Sequence, residues 1–304
     1  MSDNDPYGLS GRVAVVTGAG GGLGRTHALL FAKHGAKVVV NDLGGSADGS
    51  GKGSAMADQV VQEIKDAGGE AVANYDSVST EEGGNGIVQT AIDAFGKIDI
   101  LVNNAGILRD KSFAKMTEAD WDLVQAVHVK GAYYCTKAAW PHMRDQTYGR
   151  VVLTASASGI YGNFGQTNYS VAKMGLVGLG QTLAIEGEKK NIKVNVIAPV
   201  AASRMTESLM PPNILEKLKP EFVSPVVVYL CSENIDVTGE VYEVGAGAVS
   251  RLETIRAKGV TLNPDEGVSV EQIAENWGVI NDMTDAQIIR SIGESTQASL
   301  AHCM

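Results

Sequence analysis

Residues 12–24, RVAVVTGAGGGLG, decide the fold that this chain adopts. The apolar, β-branched first half predicts a buried strand, which the glycines end. A helical pattern then continues to about His34 and stops at Gly35, as helices often do at a glycine. A strand, a glycine turn and a helix in this order make the phosphate-binding crossover of a parallel α/β sheet.

The same alternation of apolar runs and helical patterns continues beyond this unit. Further strands are predicted at residues 37–41, 71–74, 98–102, from Arg150, and at 193–197 and 240–244. Helices are predicted at residues 55–67, 87–95, from Thr117, and at 169–186 and 224–231. Strands that alternate with helices form a parallel sheet covered on both faces. We therefore predict an α/β fold, a Rossmann-type doubly wound parallel sheet in a single domain.

Three segments fall outside the alternation. Residues 43–54 are rich in glycine and serine, which predicts an exposed loop. Residues 200–222 contain Pro211, Pro212 and Pro220 and are typical of a lid over a site. After the domain of residues 1–250, residues 251–304 form a C-terminal helical extension, with helices predicted at 269–277 and 284–300. We interpret the extension as a packing or subunit-contact appendage.

The composition is that of an ordinary soluble protein, with 304 residues, 44% apolar, 20% charged and a net charge of −10. The acidic balance argues against nucleic acid or an anionic membrane surface as a partner. No apolar run approaches the roughly 18 residues of a membrane span. Cys135, Cys231 and Cys303 have no metal-like spacing and indicate a reducing compartment. We expect a cytoplasmic location, since the C-terminal LAHCM is not a Ser-Lys-Leu-type peroxisomal signal.

An acidic residue closes the second strand, and this identifies the cofactor class. Asp42 is placed to bind the adenosine ribose and to repel a 2′-phosphate, so NAD is favoured over NADP. Asp76 ends the third strand, where it is placed to meet the adenine ring. The pyrophosphate would lie on the glycine turn, at Gly18, Gly22, Leu23 and Gly24.

The fourth strand ends in Asn103, Asn104, Ala105 and Gly106, at the edge of the sheet where open α/β sheets bind ligands. The same residues also suit an ordinary turn, in which asparagine takes a permissive conformation. The residues alone leave both interpretations open.

Residues 150–173, RVVLTASASGIYGNFGQTNYSVAK, carry the candidate catalytic residues. Tyr169 and Lys173 are four apart and share one helix face. An ammonium there favours the phenolate, which makes a proton acceptor for an alcohol. Ser156, at the end of the preceding strand, can hold the reacting oxygen. Tyr133 and Lys137 have the same spacing without such a serine upstream, and we interpret them as ordinary helix residues.

Together these motifs resemble those of the short-chain dehydrogenase/reductase family over residues 9–247. The resemblance implies that Tyr169 is the general acid/base, that Lys173 lowers its pKa and holds the nicotinamide ribose, and that Ser156 positions the substrate oxygen. It also implies a homodimer or homotetramer. Further cofactor contacts are implied for Asp76, Ser77, Val78, Asn103, Ala105, Gly106 and Pro199.

Connecting stretches such as 103–110 (NNAGILRD) and 158–166 (SGIYGNFGQ) are similar to the dehydrogenase unit of the peroxisomal multifunctional enzymes of type 2 and their free-standing bacterial relatives. This implies NAD-dependent oxidation of R-3-hydroxyacyl-CoA to 3-ketoacyl-CoA, as in fatty acid β-oxidation, with a fatty acyl-CoA-type substrate. Two alternatives stay open. One is oxidation of a steroid alcohol or a steroid side-chain CoA thioester, and the other is a non-catalytic NAD-binding sensor.

Two positions depart from the family pattern. His128 stands where many members have asparagine as a fourth catalytic residue, and its ring either acts on a proton relay or fills the space. Val200 stands where glycine is usual and would restrict the nicotinamide pocket. Separately, Arg109, Lys111 and Lys115 form a basic cluster that meets either CoA phosphates or solvent.

Overall fold

A computed structural model describes residues 5–51, 53–201 and 216–300 of the chain. Within these residues one sheet contains β1 Val13–Thr17, β2 Lys37–Asn41, β3 Ala71–Asn74, β4 Ile100–Asn103, β5 Gly149–Thr154, β6 Ile192–Val200, β7 Val241–Gly245 and β8 Ala248–Leu252. The strand order is β3-β2-β1-β4-β5-β6-β7-β8, and β1 to β7 pair in parallel. The predicted Rossmann-type doubly wound sheet is confirmed.

Helices connect these strands: α1 Gly22–Lys33, α2 Ala55–Asp66, α3 Glu81–Phe95, α4 Glu118–Gln125, α5 Gly131–Asp145, α6 Ala157–Tyr161, α7 Thr167–Gly187 and α8 Ser224–Leu230. Helix α3 begins earlier than predicted because the Thr80 hydroxyl caps it, accepting from the Gly83 N–H at 3.1 Å. The long helix predicted from Thr117 is two helices, α4 and α5, joined by a wider π-helical turn at Ala126–Lys130.

The sheet is buried at its centre, and its strand order locates the site. Val13, Ala14, Val15 and Val16 of β1 have no exposed surface. Successive side chains point to opposite faces, so both faces of β1 are covered, which explains its continuous apolar run. From β1 the sheet continues to β2 on one side and to β4 on the other. Ligands bind open α/β sheets at such a switch point, beyond the carboxyl ends of the strands.

The chain divides between Arg251 and Leu252 into two compact units. In the second unit, β9 Ile255–Arg256 pairs antiparallel with β10 Gln287–Ile288, and the helices are α9 Val270–Glu275, α10 Trp277–Ile280 and α11 Ile292–Leu300. Ser269, the N-cap of α9, forms a capping box with Gln272. The helix predicted at 284–300 is wrong in its first part, because residues there pair as a strand. The functional division into residues 1–250 and 251–304 stays a prediction.

The lid expected at residues 200–222 lies only partly within the described residues. Pro211 and Pro212 lie outside them, while Pro220–Phe222 forms a short 3₁₀ helix. Cys135 and Cys231 are buried free thiols. Across the described ranges, no helix has both the length and the apolar character needed to cross a membrane.

The central position of β4 gives a test of the fold. Replacing the fully buried Ile100 by Ala should lower the free energy of unfolding by about 2–5 kcal/mol, because the neighbours cannot fill the space. Lys65 on α2 is exposed, so Lys65→Ala should change it by no more than about 0.5 kcal/mol. Urea unfolding followed by circular dichroism measures both values. Equal losses in the two variants would contradict the burial of β4.

Candidate active site

The glycine turn after β1 is hydrogen-bonded to the residues that follow β4. Thr17 Oγ1 accepts from the N–H groups of Asn104 and Ala105 at 3.0 and 3.1 Å. In return, Asn104 Nδ2 donates to the carbonyls of Thr17 and Gly18 at 2.9 and 3.1 Å. A Cβ on Gly24 would lie 2.2 Å from the Gly18 oxygen, so only glycine fits there. These contacts fix the direction in which α1 leaves the turn.

The start of α1 and Asp42 together form a cradle for a dinucleotide. The N-cap residue Gly21 has no side chain to cap the helix, so the first N–H groups can face an anion. Asp42, directly after β2, accepts from the N–H groups of Gly20 and Gly44 at 2.8 and 2.7 Å. A carboxylate oxygen can accept more than one bond, so Asp42 can still bind ribose hydroxyls. The residues present therefore fit NAD.

The predicted adenine-side residues follow β3. Asp76 accepts from Asn74 Nδ2 at 2.8 Å, and its carbonyl accepts from Asn41 Nδ2 at 3.0 Å. Ser77 Oγ is hydrogen-bonded to Ser79 Oγ at 2.8 Å. The loop after β3 is thereby held to the end of β2, on the same edge of the sheet as the glycine turn.

Val78, Asn103 and Ala105 lie closer to the centre of the site. With His128 they line a cavity of about 10 Å³, which is about the volume that a single water needs. Asn103 Nδ2 donates to Thr136 Oγ1 at 3.0 Å. This bond ties β4 to α5, and Asn103 thus has a structural contact in addition to its predicted place beside the cofactor.

Pro199 and Val200 end β6, where they pair with Val244 and Gly245 of β7. A Cβ on Gly245 would lie 2.8 Å from the Val200 Cβ. The missing side chain of Gly245 therefore provides room for the valine that replaces the usual glycine.

The structure brings Ser156, Tyr169 and Lys173 together at the carboxyl end of β5. Lys173 is 3% exposed, and its Nζ donates to the Thr154 carbonyl at 2.6 Å. The same Nζ lies 5.3 Å from the Tyr169 ring centroid. Ser156 lies near the Tyr169 hydroxyl, and its own hydroxyl lowers the pKa of the phenol. The three side chains can thus act on one oxygen atom.

Burial, rather than the ammonium, dominates the electrostatics of this group. Tyr169 keeps some exposed surface, but the crowding of protein atoms raises the pKa of its phenol to about 12. The same loss of hydration lowers the pKa of Lys173 to about 7. The expected lowering of the Tyr169 pKa by Lys173 is therefore not what the structure gives. Both groups are pushed toward their neutral forms.

His128 lies in the π-helical turn and faces Tyr169 edge-on, with ring centroids 5.2 Å apart. Its Nε2 lies 3.1 Å from the Ile107 nitrogen and 2.9 Å from the Ile107 oxygen. Its Nδ1 is buried without a hydrogen-bond partner among the described residues. Burial and the nearby Lys173 lower the pKa of His128 well below its usual value. A Cβ on Gly106 would lie 2.5 Å from the ring, so the neutral imidazole also fills space.

The glycine-rich insert, predicted as an exposed loop, folds against the chain that follows β4. The Leu108 N–H donates to the Ala47 carbonyl at 3.0 Å, and Arg109 Nε donates to the Asp48 carbonyl at 2.7 Å. Arg109 also forms an ion pair with Asp120 at 3.5 Å. The guanidinium is therefore engaged by the protein itself, which disfavours the alternative in which it meets CoA phosphates. Lys111 and Lys115 are exposed.

The pair Tyr133 and Lys137 has different surroundings. Tyr133 is 44% exposed on α5, and Lys137 lies 3.8 Å from Glu81 and 5.3 Å from the Tyr133 ring. These are ordinary surface contacts of a helix, in contrast to the buried group around Tyr169.

Sequence reasoning missed the amide side chains at the start of α7. Asn168 has no exposed surface, and its Oδ1 accepts from the Tyr169 N–H at 2.8 Å. Its Nδ2 donates to the carbonyls of Arg109 and Asp120, each at 3.1 Å. Asn168 precedes Tyr169 directly, and that adjacency was the available signal. The residues that its side chain amide binds, Arg109 and Asp120, are distant in sequence and gave no signal.

A family model described as short chain dehydrogenase matches residues 12–213. A short-chain type dehydrogenase/reductase of Mycobacterium tuberculosis is 57% identical over 281 residues, which cover 92% of this chain and 98% of that protein. The structure of full-length peroxisomal multifunctional enzyme type 2 from Drosophila melanogaster is similar over 96% of this chain and 49% of that one, with a TM-score of 0.82 and 46% identity.

A 7α-hydroxysteroid dehydrogenase solved with NADH and 7-oxo glycochenodeoxycholic acid is similar over 82% of this chain and 98% of that one. Its TM-score is 0.73 and its identity 30%. This chain spans 64% or less of the length of the multifunctional relatives that it matches.

The unpaired Nδ1 of His128 gives a prediction. If it orders a proton relay, His128→Ala should slow turnover by about tenfold to 10²-fold, with little loss of NAD affinity. His142→Ala, in the exposed last turn of α5, is the control and should leave turnover intact. Steady-state kinetics and NAD titration measure the two effects. Unaltered turnover in His128→Ala would mean that the ring only fills space.

Proposed function

This chain belongs to the short-chain dehydrogenase family, and on that premise we propose that it oxidises R-3-hydroxyacyl-CoA to 3-ketoacyl-CoA with NAD. The resemblance recognised in the motifs is confirmed, and the chain is an oxidoreductase of this family. The observation that carries the proposal is the convergence of Ser156, Tyr169 and Lys173 beside the dinucleotide cradle. Similarity to the multifunctional enzyme type 2 supports an acyl-CoA substrate of the fatty acid β-oxidation type.

The cradle residues define the cofactor that we propose. The amides of the glycine turn and of the first turn of α1 would hold the pyrophosphate of NAD. Asp42 would accept from the ribose hydroxyls and oppose the 2′-phosphate of NADP, because like charges repel at short range. When bound, oxidised NAD supplies the hydride acceptor and a positive charge.

The residues around Tyr169 would manage the proton of the substrate hydroxyl. Ser156 would hydrogen-bond the reacting oxygen while Tyr169 accepts its proton as the hydride leaves C3. Because burial raises the pKa of Tyr169, the phenolate needs positive charge nearby, which the oxidised cofactor and the protonated fraction of Lys173 would provide. Oxidation requires the phenolate, so its rate should rise with pH toward the pKa of Tyr169 in the working complex.

A steroid alcohol, or a steroid side-chain CoA thioester, is the second candidate substrate. It is supported by the similarity to the hydroxysteroid dehydrogenase. The reacting group would be the same secondary alcohol, and the same three side chains would act on it.

We also propose a homodimer or homotetramer. Helix α7 is apolar around much of its circumference, and Val171, Met174 and Ile185 are exposed on it. A helix that is apolar on all sides is usually buried, so this face is suited to a second copy of the chain. A cytoplasmic location stays a prediction.

The substrate proposal predicts a specific pattern of NADH formation. With NAD, the R form of a medium-chain 3-hydroxyacyl-CoA should be oxidised and the S form should not. With NADP the rate should fall, because Asp42 opposes the extra phosphate. NADH absorbance measures each rate. Turnover of a steroid alcohol with neither acyl-CoA form active would replace the leading proposal with the second.

The assignment of the proton acceptor is tested by two matched variants. Tyr169→Phe should lower kcat by about 10²–10⁴-fold while NAD still binds. Tyr133→Phe removes the same hydroxyl from the other Tyr-Lys pair and should leave kcat nearly intact. Turnover assays and calorimetric NAD titration measure both properties. Loss of activity in Tyr133→Phe alone would show that the wrong pair was chosen. NAD binding without oxidation of any tested alcohol would favour the non-catalytic sensor.

A further inference from the structure

Asp110 and Gln166 form a polar pair next to Tyr169 that the proposed reaction does not use. Gln166 Nε2 donates to Asp110 Oδ2 at 2.8 Å. Gln166 Oε1 accepts from the Ser158 hydroxyl at 2.8 Å and from Asn163 Nδ2 at 2.9 Å. Gln166 is 7% exposed. Because two donors occupy its oxygen, the amide has a fixed orientation, and its nitrogen points to the carboxylate.

Two further bonds join the loop after β4 to the start of α7. On one side, the Lys111 N–H donates to the Gly165 carbonyl at 2.9 Å. On the other, Asn168 Nδ2 donates to the Arg109 carbonyl at 3.1 Å, while its Oδ1 accepts from the Tyr169 N–H. Three successive residues of the loop thus bind the segment that precedes the tyrosine. The position of the phenol follows from where this loop lies.

Among the residues that the structure describes, the polar and charged groups around the Tyr169 phenol come from four elements. Lys173 lies on α7, His128 on the π-helical turn, Ser156 after β5 and Asp110 after β4. Asp110 is the acidic side chain whose charge acts on the phenol, and it raises the Tyr169 pKa. His128 is neutral at pH 7 because burial lowers its pKa. The negative charge of Asp110 therefore opposes the effect of the Ser156 hydroxyl on the phenol.

We propose that Asp110 is a positioning residue for Tyr169, which together with Gln166 fixes the start of α7 and holds a negative charge beside the phenol. The inference rests on the proposed role of Tyr169 as proton acceptor. A negative charge near the phenol raises its pKa. The phenolate is then a stronger base, but it forms only at a higher pH. Asp110 itself touches neither substrate nor cofactor in this role.

The test is Asp110→Asn, which removes the charge but keeps an oxygen that can accept from Gln166. In the pH profile of kcat/KM for alcohol oxidation, the rising limb should shift to lower pH by roughly 0.5 to 1 unit, because the phenol loses a negatively charged neighbour. Asp110→Glu keeps the charge, and its limb should stay near that of the unaltered protein. Asp122→Asn, an exposed position on α4, changes the net charge equally and should not move the limb.

A second readout needs no turnover. Tyrosinate absorbance is titrated for each protein with NAD bound, and the curve of the matching Tyr169→Phe variant is subtracted. Asp110→Asn should ionise Tyr169 at a lower pH. A failed 3-hydroxyacyl-CoA assay with this shift present would overturn the substrate proposal alone. If Asp110→Asn does not fold, Asp110→Ser removes the same charge. An unmoved limb and an unmoved Tyr169 titration in a folded charge-removing variant would overturn the proposal.

Discussion

The Thr17 hydroxyl joins the ends of β1 and β4, and the arrangement of both halves of the site depends on that contact. It accepts from two successive N–H groups after β4, while Asn104 returns two bonds to the glycine turn. On one side of this junction lies the cradle of α1 and Asp42. On the other side, β4 leads to His128 and to the loop that contacts the start of α7. The distance between the cradle and Tyr169, the proposed proton acceptor, is therefore set by the sheet rather than by a flexible loop.

Loss of hydration is the second constraint on the site, and among the described residues it acts on Tyr169, Lys173 and His128. It raises the pKa of the phenol to about 12, lowers that of Lys173 to about 7, and lowers that of His128. In such surroundings a single added charge has a large effect, because water screens it poorly. The positive charge of a bound oxidised cofactor and the negative charge of Asp110 therefore act on the phenol in opposite directions.

The fold and the central trio could be predicted because their signals are local. A strand buried on both faces must be apolar along its length, as β1 is, and a helix fixes which residues share a face. The insert at residues 43–54, the π-helical turn and the strand at Gln287–Ile288 depend on contacts with distant parts of the chain. The pKa of Tyr169 was expected to fall because spacing gives the position of a cation but not the burial around it.

The insert also links the two halves of the site by a route separate from Thr17. Asp42, on the cofactor side, binds the Gly44 N–H at the beginning of the insert. Further along the insert, Ala47 and Asp48 bind Leu108 and Arg109, which directly precede Asp110. Hydrogen bonds thus tie the insert both to Asp42, which would hold the ribose, and to the loop that we propose to position Tyr169. Because the insert contributes only backbone groups to these bonds, the link depends on the conformation of the insert more than on its side chains, which agrees with its many glycines.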